Sequence, residues 1–144
     1  MSSRVQQENF DLGQELAGFG AGAGAVVTFT GLVRNSAAGD LDHMLIEHYP
    51  AMTEAALAEI EAEARRRWTL TDCCVIHRFG PLKPGEQIMM VATASPHRAE
   101  AFAAAEFLMD YLKSRAPFWK KEVTAKGASW VAAKDADEAA LTRW

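Results

Sequence analysis

Four cations, Lys113, Arg115, Lys120 and Lys121, fall within nine residues of the stretch MDYLKSRAPFWKKEV, with Pro117 and the rings Phe118 and Trp119 between them. Cations in this density do one of two things. At a helix C-terminus they offset the carbonyl end of the macrodipole, by about 0.3–1 kcal/mol each. Around a pocket they hold an external anion and stabilise negative charge that develops during a reaction. For Lys113 and Arg115 composition leaves both readings open. Lys120 and Lys121 lie in the strand-like run FWKKEV, where side chains alternate between faces. If Trp119 and Lys121 face away, Phe118 and Lys120 share a face that Lys113 can also reach.

A second basic group is His97 with Arg98, directly after the helix-start signal Ser95-Pro96. Free backbone N–H groups and the positive dipole end already favour an anion there, so an arginine at that place opposes the helix unless a phosphate or carboxylate binds. Arg34, beside Asn35 and just past the run VVTFTGLV, is a third; loop arginines are commonly only solvated. Metal chemistry lacks its ligands, because no CxxC pair exists and His43, His48, His77 and His97 show no ligand spacing with the cysteines. Cys73 and Cys74 are adjacent, with α-carbons about 3.8 Å apart, closer than an ordinary disulfide prefers, and packing is expected of them. Gly18, Gly20, Gly22 and Gly24 recur at every second position ahead of a strand. No GxGxxG or GxxxxGK[ST] can be drawn through them, so they read as a flexible connection.

These residues need elements to position them. A short helix is predicted over Asp11–Phe19 and a strand over AVVTFTGLV. After the polar turn RNSAAGD a second strand runs from about Asp42 to Tyr49, stopped by Pro50. TEAALAEIEAEARRRW has Leu57, Ile60, Ala64 and Trp68 at helical spacing, with Glu61 and Arg65, and Glu63 and Arg67, four apart. CCVIHRFG and QIMMVATAS flank PLKPGE as a hairpin, and the apolar run Ile88–Ala92 implies cover on both faces. The long helix that follows takes Ser95 as N-cap and Pro96 at its first position; Phe102, Ala105, Met109 and Leu112 mark its buried face to Arg115, and Pro117 ends it. FWKKEV and ASWVAA read as short strands and DADEAALTRW as a helical tail. Hairpins in place of repeated β-α-β units indicate an α+β fold, a mostly antiparallel sheet with two main helices in a single domain.

The chain has 144 residues, 49% hydrophobic and 24% charged, with a formal net charge of -4. That size suits one globular domain with a real core. The acidic balance argues against bulk binding to nucleic acid or anionic lipid, so any anion site is local. No cationic leader precedes an apolar core, and no segment approaches the ~20 apolar residues of a membrane span, so a cytoplasmic protein is expected. Two rivals use the same cations. A single-stranded nucleic-acid-binding module would stack bases on Phe118 and Trp119 with Lys120 and Lys121 on the backbone; a phosphoesterase would need metal carboxylates that are not evident.

AVVTFTGLVRN, IEHYPAMTEAAL, VIHRFGPLKPGE, SPHRAEAF and MDYLKSRAPFWKKE, in this order, resemble the large, catalytic subunit of molybdopterin synthase. The resemblance runs from about Gly24 to the closing RW, leaving residues 1–23 as a variable N-terminal segment of one domain, 1–144. It implies an alpha/beta-hammerhead-like fold and sulfur transfer without a bound cofactor. In that family a small ubiquitin-like partner inserts a C-terminal Gly-Gly tail ending in a thiocarboxylate, and sulfur passes to cyclic pyranopterin monophosphate; two transfers build the dithiolene. Matched motif to motif, Lys113 and Lys120 resemble the essential lysines, and Arg34, His97 and Arg98 the anion-binding residues. Phe29 resembles a pocket residue, and Lys134 stands where an arginine is frequent, exchanging a bidentate fork for a point charge. Lys113 would meet the partner's terminal carboxylate or thiocarboxylate; Lys120 would transfer protons or contact the pterin. His97 and Lys113 are sixteen residues apart on one predicted helix, about 24 Å at 1.5 Å per residue, too far to touch one small substrate. A homodimer with a shared site resolves this, and two small subunits would make it a heterotetramer.

Overall fold

Two four-stranded sheets organise the computed structural model, which describes residues 3–132 and 135–144. The first has the order β1 (Arg4–Gln6), β4 (Asp72–Arg78), β6 (Gln87–Ser95), β2 (Ala25–Leu32). The second has the order β5 (Gly80–Leu82), β3 (Leu41–His48), β7 (Phe118–Thr124), β8 (Gly127–Trp130). All pairings are antiparallel except β1 with β4. The α+β expectation holds, with the strands shared between two sheets.

Strands β4 and β6 form the expected hairpin, pairing Cys73 with Thr93 and Val75 with Val91. Both are central, and Ile88 through Ser95 are buried throughout, as an unbroken apolar run requires when both faces are covered. On one face lie the two long helices, α2 (Pro50–Arg67) and α3 (Arg98–Arg115). The other face is covered by Phe10, Leu12, Leu16 and Phe19, around the four-residue helix α1 (Leu12–Glu15) capped by the Asp11 carboxylate. Because successive side chains of a strand alternate, Cys73 joins the helix-side core and Cys74 the opposite one. Gly80, with φ 92°, turns the chain out of the first sheet, so the three residues of β5 pair with β3 in the second.

Helix α2 buries Leu57, Ile60 and Ala64 as its spacing predicts, and Glu61–Arg65 and Glu63–Arg67 pair at 3.0 and 2.9 Å. Helix α3 departs from expectation at its start. Ser95 stays in β6, paired with Ala25, so sheet pairing takes the residue from the helix and His97 becomes the N-cap, with extended φ −132° and ψ 149°. Phe102 is 60% exposed. The buried stripe is Ala101, Ala104, Ala105, Leu108 and Leu112 with Phe107, and Phe102 lies about 100° around the axis from Ala101. Past β8, α4 (Asp135–Ala140) and a 3₁₀ turn return the chain to the helices, where Trp144 packs edge-on to Trp68 and Phe107 and donates from Nε1 to Asp110 at 2.6 Å.

The glycine run is a hydrogen-bonded turn. Ala23 N donates to Gly20 O at 2.8 Å and Gly24 N to Ser95 O at 3.1 Å. Its last glycine is forced by proximity: a Cβ at Gly24 would stand 2.2 Å from the Pro96 carbonyl oxygen. Gly24 therefore seats the short Pro96–His97 connection into α3. Gly24→Ala should destabilise the protein by about 1–3 kcal/mol, since backbone must move to admit the methyl group. Urea unfolding measures this, with Gly22→Ala as the control for backbone strain alone, because Gly22 has positive φ and open space around it.

Candidate active site

Strand β7 sorts its side chains as period-2 alternation requires. Phe118 pairs across the ladder with His48 and Lys120 with Ile46, which is 1% exposed, so Phe118 and Lys120 share the core-side face. Trp119 and Lys121 point outward. Trp119 meets Tyr49 edge-on at 4.8 Å, and the Lys121 ammonium lies 4.3 Å over the Trp130 ring. Arg115 is also engaged, pairing with Glu138 at 2.9 Å. Lys113, exposed in the last turn of α3, has no hydrogen-bond or ion-pair partner among the described residues.

Beneath Lys120 is a stack of rings. The buried imidazole of His77 lies almost parallel to Phe118, centroids 3.7 Å apart at 16°, and His48 approaches Phe118 at 5.9 Å and Phe79 at 4.6 Å. His77 Nδ1 is 2.8 Å from the Arg78 carbonyl, which can only accept, so Nδ1 carries the hydrogen. Thr53 uses its hydroxyl hydrogen on the Tyr49 carbonyl at 2.8 Å, so His48 Nδ1, 3.1 Å from the Thr53 hydroxyl oxygen, is the donor to that oxygen. Burial pushes the His77 pKa down to about 3 despite that backbone hydrogen bond, and the nearby Lys120 and His48 add to the depression. His77 is thus a neutral ring beside a lysine.

The remaining cations fall at opposite ends of the first sheet. His97 and Arg98 are exposed at the start of α3, and the His97 side chain makes no cap hydrogen bond. The helix is unbroken from Arg98 to Arg115, so Arg98 and Lys113 are about 22 Å apart along the axis. Strand β2 starts where β6 ends, Ala25 opposite Ser95, and finishes opposite Gln87. The far end of β2, with exposed Arg34 just beyond it, is therefore about 24 Å from the end of the sheet that leads into His97. Only two residues join β6 to α3, so α3 doubles back across the sheet and its last turn lies toward the end where β2 finishes. One chain brings Arg34, Lys113 and Lys120 to one end and leaves His97 and Arg98 at the other. Phe29 pairs with Val91, lies on the helix side of edge strand β2 and is 43% exposed. Lys134 lies outside the described residues.

Burial pushes the Cys73 thiol to about 12 and the Cys74 thiol to about 11, far from a working nucleophile at neutral pH. Among the described residues no three His, Cys, Asp or Glu side chains are placed to hold a metal, and no helix is long and apolar enough to cross a membrane.

Lys120 thus lies beside the neutral His77 ring, and Lys113 is exposed at the end of α3. The family model described as MoaE protein matches residues 5–115. The chain belongs to the MoaE family. It is 70% identical over 143 residues to the molybdopterin synthase catalytic subunit of Cereibacter sphaeroides, with 97% of each chain covered. Among solved structures, the molybdopterin biosynthesis MoaE protein of Burkholderia ambifaria matches with TM-score 0.83 at 49% identity, covering 100% of this chain and 98% of that one. The molybdopterin synthase of Staphylococcus aureus matches with TM-score 0.84 at 32% identity, covering 90% and 96%. Membership of the MoaE family places the chain in molybdenum cofactor biosynthesis, in the enzymatic role of a molybdopterin synthase catalytic subunit.

Sequence reasoning weighed His48 and His77 only as metal ligands and missed the ring stack. The available signal was an ionisable residue at the end of the apolar run CCVI, in a strand expected to be covered. The stack has a consequence for stability. An unfolded histidine titrates near 6.5 whereas native His77 titrates near 3, so in that window the unfolded chain binds a proton that the native chain refuses. The contribution is complete above pH 6.5 and is lost as pH falls toward 3, at up to about 1.4 kcal/mol per pH unit. Urea unfolding of wild type and His77→Phe across that range should show the wild type losing stability faster on acidification; parallel curves would mean that native His77 is protonated.

Proposed function

We propose that this chain transfers sulfur from the C-terminal thiocarboxylate of a small ubiquitin-like partner to cyclic pyranopterin monophosphate. The observation that carries the reading is the sorting of the cations at the α3–β7 junction: Arg115 and Lys121 are occupied elsewhere, while Lys113 has no hydrogen-bond or ion-pair partner among the described residues and Lys120 sits on the core-side face with Phe118. In each round the thiocarboxylate sulfur bonds to a pterin side-chain carbon as a carbon–oxygen bond at that carbon breaks, the displaced oxygen taking up a proton as it leaves or staying on the opened phosphate ester. Water then cleaves the acyl–sulfur bond, which leaves the sulfur on the pterin and a carboxylate on the partner. Both the attack of water and the leaving thiolate build negative charge, and a preorganised ammonium is what stabilises it. Lys113 takes the tail's terminal group and that charge; Lys120 moves a proton or contacts the pterin. Arg34, His97 and Arg98 hold the substrate phosphate, and Phe29 lines the pocket. The reaction is assigned to the cytoplasm.

The cations at opposite ends of one chain are reconciled by a symmetric dimer. Strand β2 is an edge, with Val26, Phe29 and Leu32 exposed, and an uncovered apolar edge favours pairing with another strand. A two-fold contact through it would set the Ala25 end of one β2 against the Leu32 end of the other. The partner's His97 and the partner's Arg98 then lie at the end that holds Arg34, Lys113 and Lys120. Two small subunits complete a heterotetramer. The rival nucleic-acid reading loses its platform, because Phe118 is stacked on His77 while Trp119 faces the other way.

Lys113→Ala should lower turnover by about 10²–10³-fold, the usual cost of deleting one oxyanion donor, with the small partner still bound. Dithiolene formation from thiocarboxylated partner and pyranopterin measures it, and near wild-type turnover in the folded variant would reduce Lys113 to a helix-end charge. The shared site has its own test. A dimer purified through two affinity tags, with Lys113→Ala in one chain and Arg98→Ala in the other, has one intact and one doubly altered site. It should recover about half of wild-type activity, although each parent homodimer is nearly inactive. No recovery would confine both residues to one chain's site.

A further inference from the structure

The ring stack bridges the two sheets at the point where α3 hands the chain to β7. His77 belongs to β4 in the first sheet, Phe118 is the first residue of β7 in the second, and their rings lie 3.7 Å apart at 16°. The His77 ring is locked about its own axis, because turning it would break the Nδ1 hydrogen bond to the Arg78 carbonyl. On its other side Phe118 meets His48, which is held by Thr53 and by Phe79. Phe118 is thus fixed from both flanks. Lys120 follows two residues later on the same face, about 6.8 Å along the strand.

We propose that His77 is a positioning residue for the transfer reaction: its ring, clamped on Phe118, fixes the start of β7 and so sets the position of the Lys120 ammonium relative to the end of α3. The inference rests on the reading of Lys120 as a working lysine. A ring suits this task better than an aliphatic side chain, since two parallel planes restrain both separation and tilt. An imidazole also satisfies the buried Arg78 carbonyl, which a phenyl ring would leave without this donor. Its neutrality matters, because a buried imidazolium here would repel the very lysine that it positions.

The test reads Lys120 directly. Brief acetylation with an amine-reactive ester, followed by peptide mass spectrometry, gives the labelling rate of Lys120 against Lys126, exposed in the turn between β7 and β8. His77→Ala should shift that ratio several-fold and lower kcat by about 10–100-fold, the cost of misplacing a catalytic group by about an ångström, with KM for both substrates little changed. His77→Phe, which keeps the stack, should restore the ratio and most of kcat. Should His77 variants fail to fold, Phe118→Leu removes the stack from the half-buried side and should give the same shift. An unchanged labelling ratio in folded His77→Ala or Phe118→Leu overturns the proposal, and so does a His77→Phe variant as defective as His77→Ala. Lys120→Ala at near wild-type turnover would instead sink the catalytic reading of Lys120 and leave the positioning effect to the labelling result.

Discussion

The straightness of α3 sets the terms for the whole molecule. Two residues connect it to β6, the Thr93 hydroxyl donates to the Ala101 carbonyl at 2.7 Å, and alanines at 101, 104 and 105 let its axis lie close to the sheet. A helix held so closely by a covered sheet cannot bend without opening the core around Phe107 and Leu108, both fully buried. Its ends are therefore fixed posts. Groups that must meet around one small anion cannot come from both posts of one chain, so the proposed function calls for a symmetric dimer.

The second sheet is tied to this frame by rings. Across the sheets His77 stacks on Phe118, and within its own sheet His48 sits opposite Phe118 on the ladder. Buried histidines are costly when charged, and here the cost falls on the protonated form: the environment keeps His77 neutral well below physiological pH. A neutral His77 ring leaves Lys120 as the charge beside it. In a low-dielectric setting that charge acts on an anion with less screening than at an open surface.

Much of this was legible in the sequence, for reasons that differ by element. Strand parity on β7 was readable because alternation is a backbone property, so the split of Phe118 and Lys120 from Trp119 and Lys121 needed no tertiary knowledge. The hairpin of β4 with β6 and the stripe of α2 follow from local patterning in the same way. Ser95 was misread as a cap because the sheet competes for the same residue, and its pairing with Ala25 wins. Phe102 was placed in the core because a large apolar residue was given more weight than its angle, while three small alanines form that part of the buried stripe. The glycine run looked flexible, yet Gly20 and Gly24 are glycines because Ala94 and Pro96 approach them, contacts made by residues some seventy positions away. The ring stack shares that origin: His77 and Phe118 are unrelated in sequence and meet only once both sheets are in place.

The treatment of sulfur in this chain bears on why its site is built of lysines. Cys73 and Cys74 sit on opposite faces of one central strand, each in a separate apolar layer, with thiols pushed to about 12 and about 11. At pH 7 the thiolate fraction of either is on the order of 10⁻⁴ or lower. The protein therefore offers no sulfur nucleophile of its own, and under the proposed function a sulfur that enters on a partner's tail would meet no competing thiol at the surface. An incoming thiocarboxylate is already ionised and needs no general base to become a nucleophile. It needs a place to dock its charge and a counter-charge when the acyl group is cleaved. Ammonium groups supply both without offering a side chain that could be acylated as readily as a thiolate, and under the proposed function that part falls to Lys113, exposed in the last turn of α3.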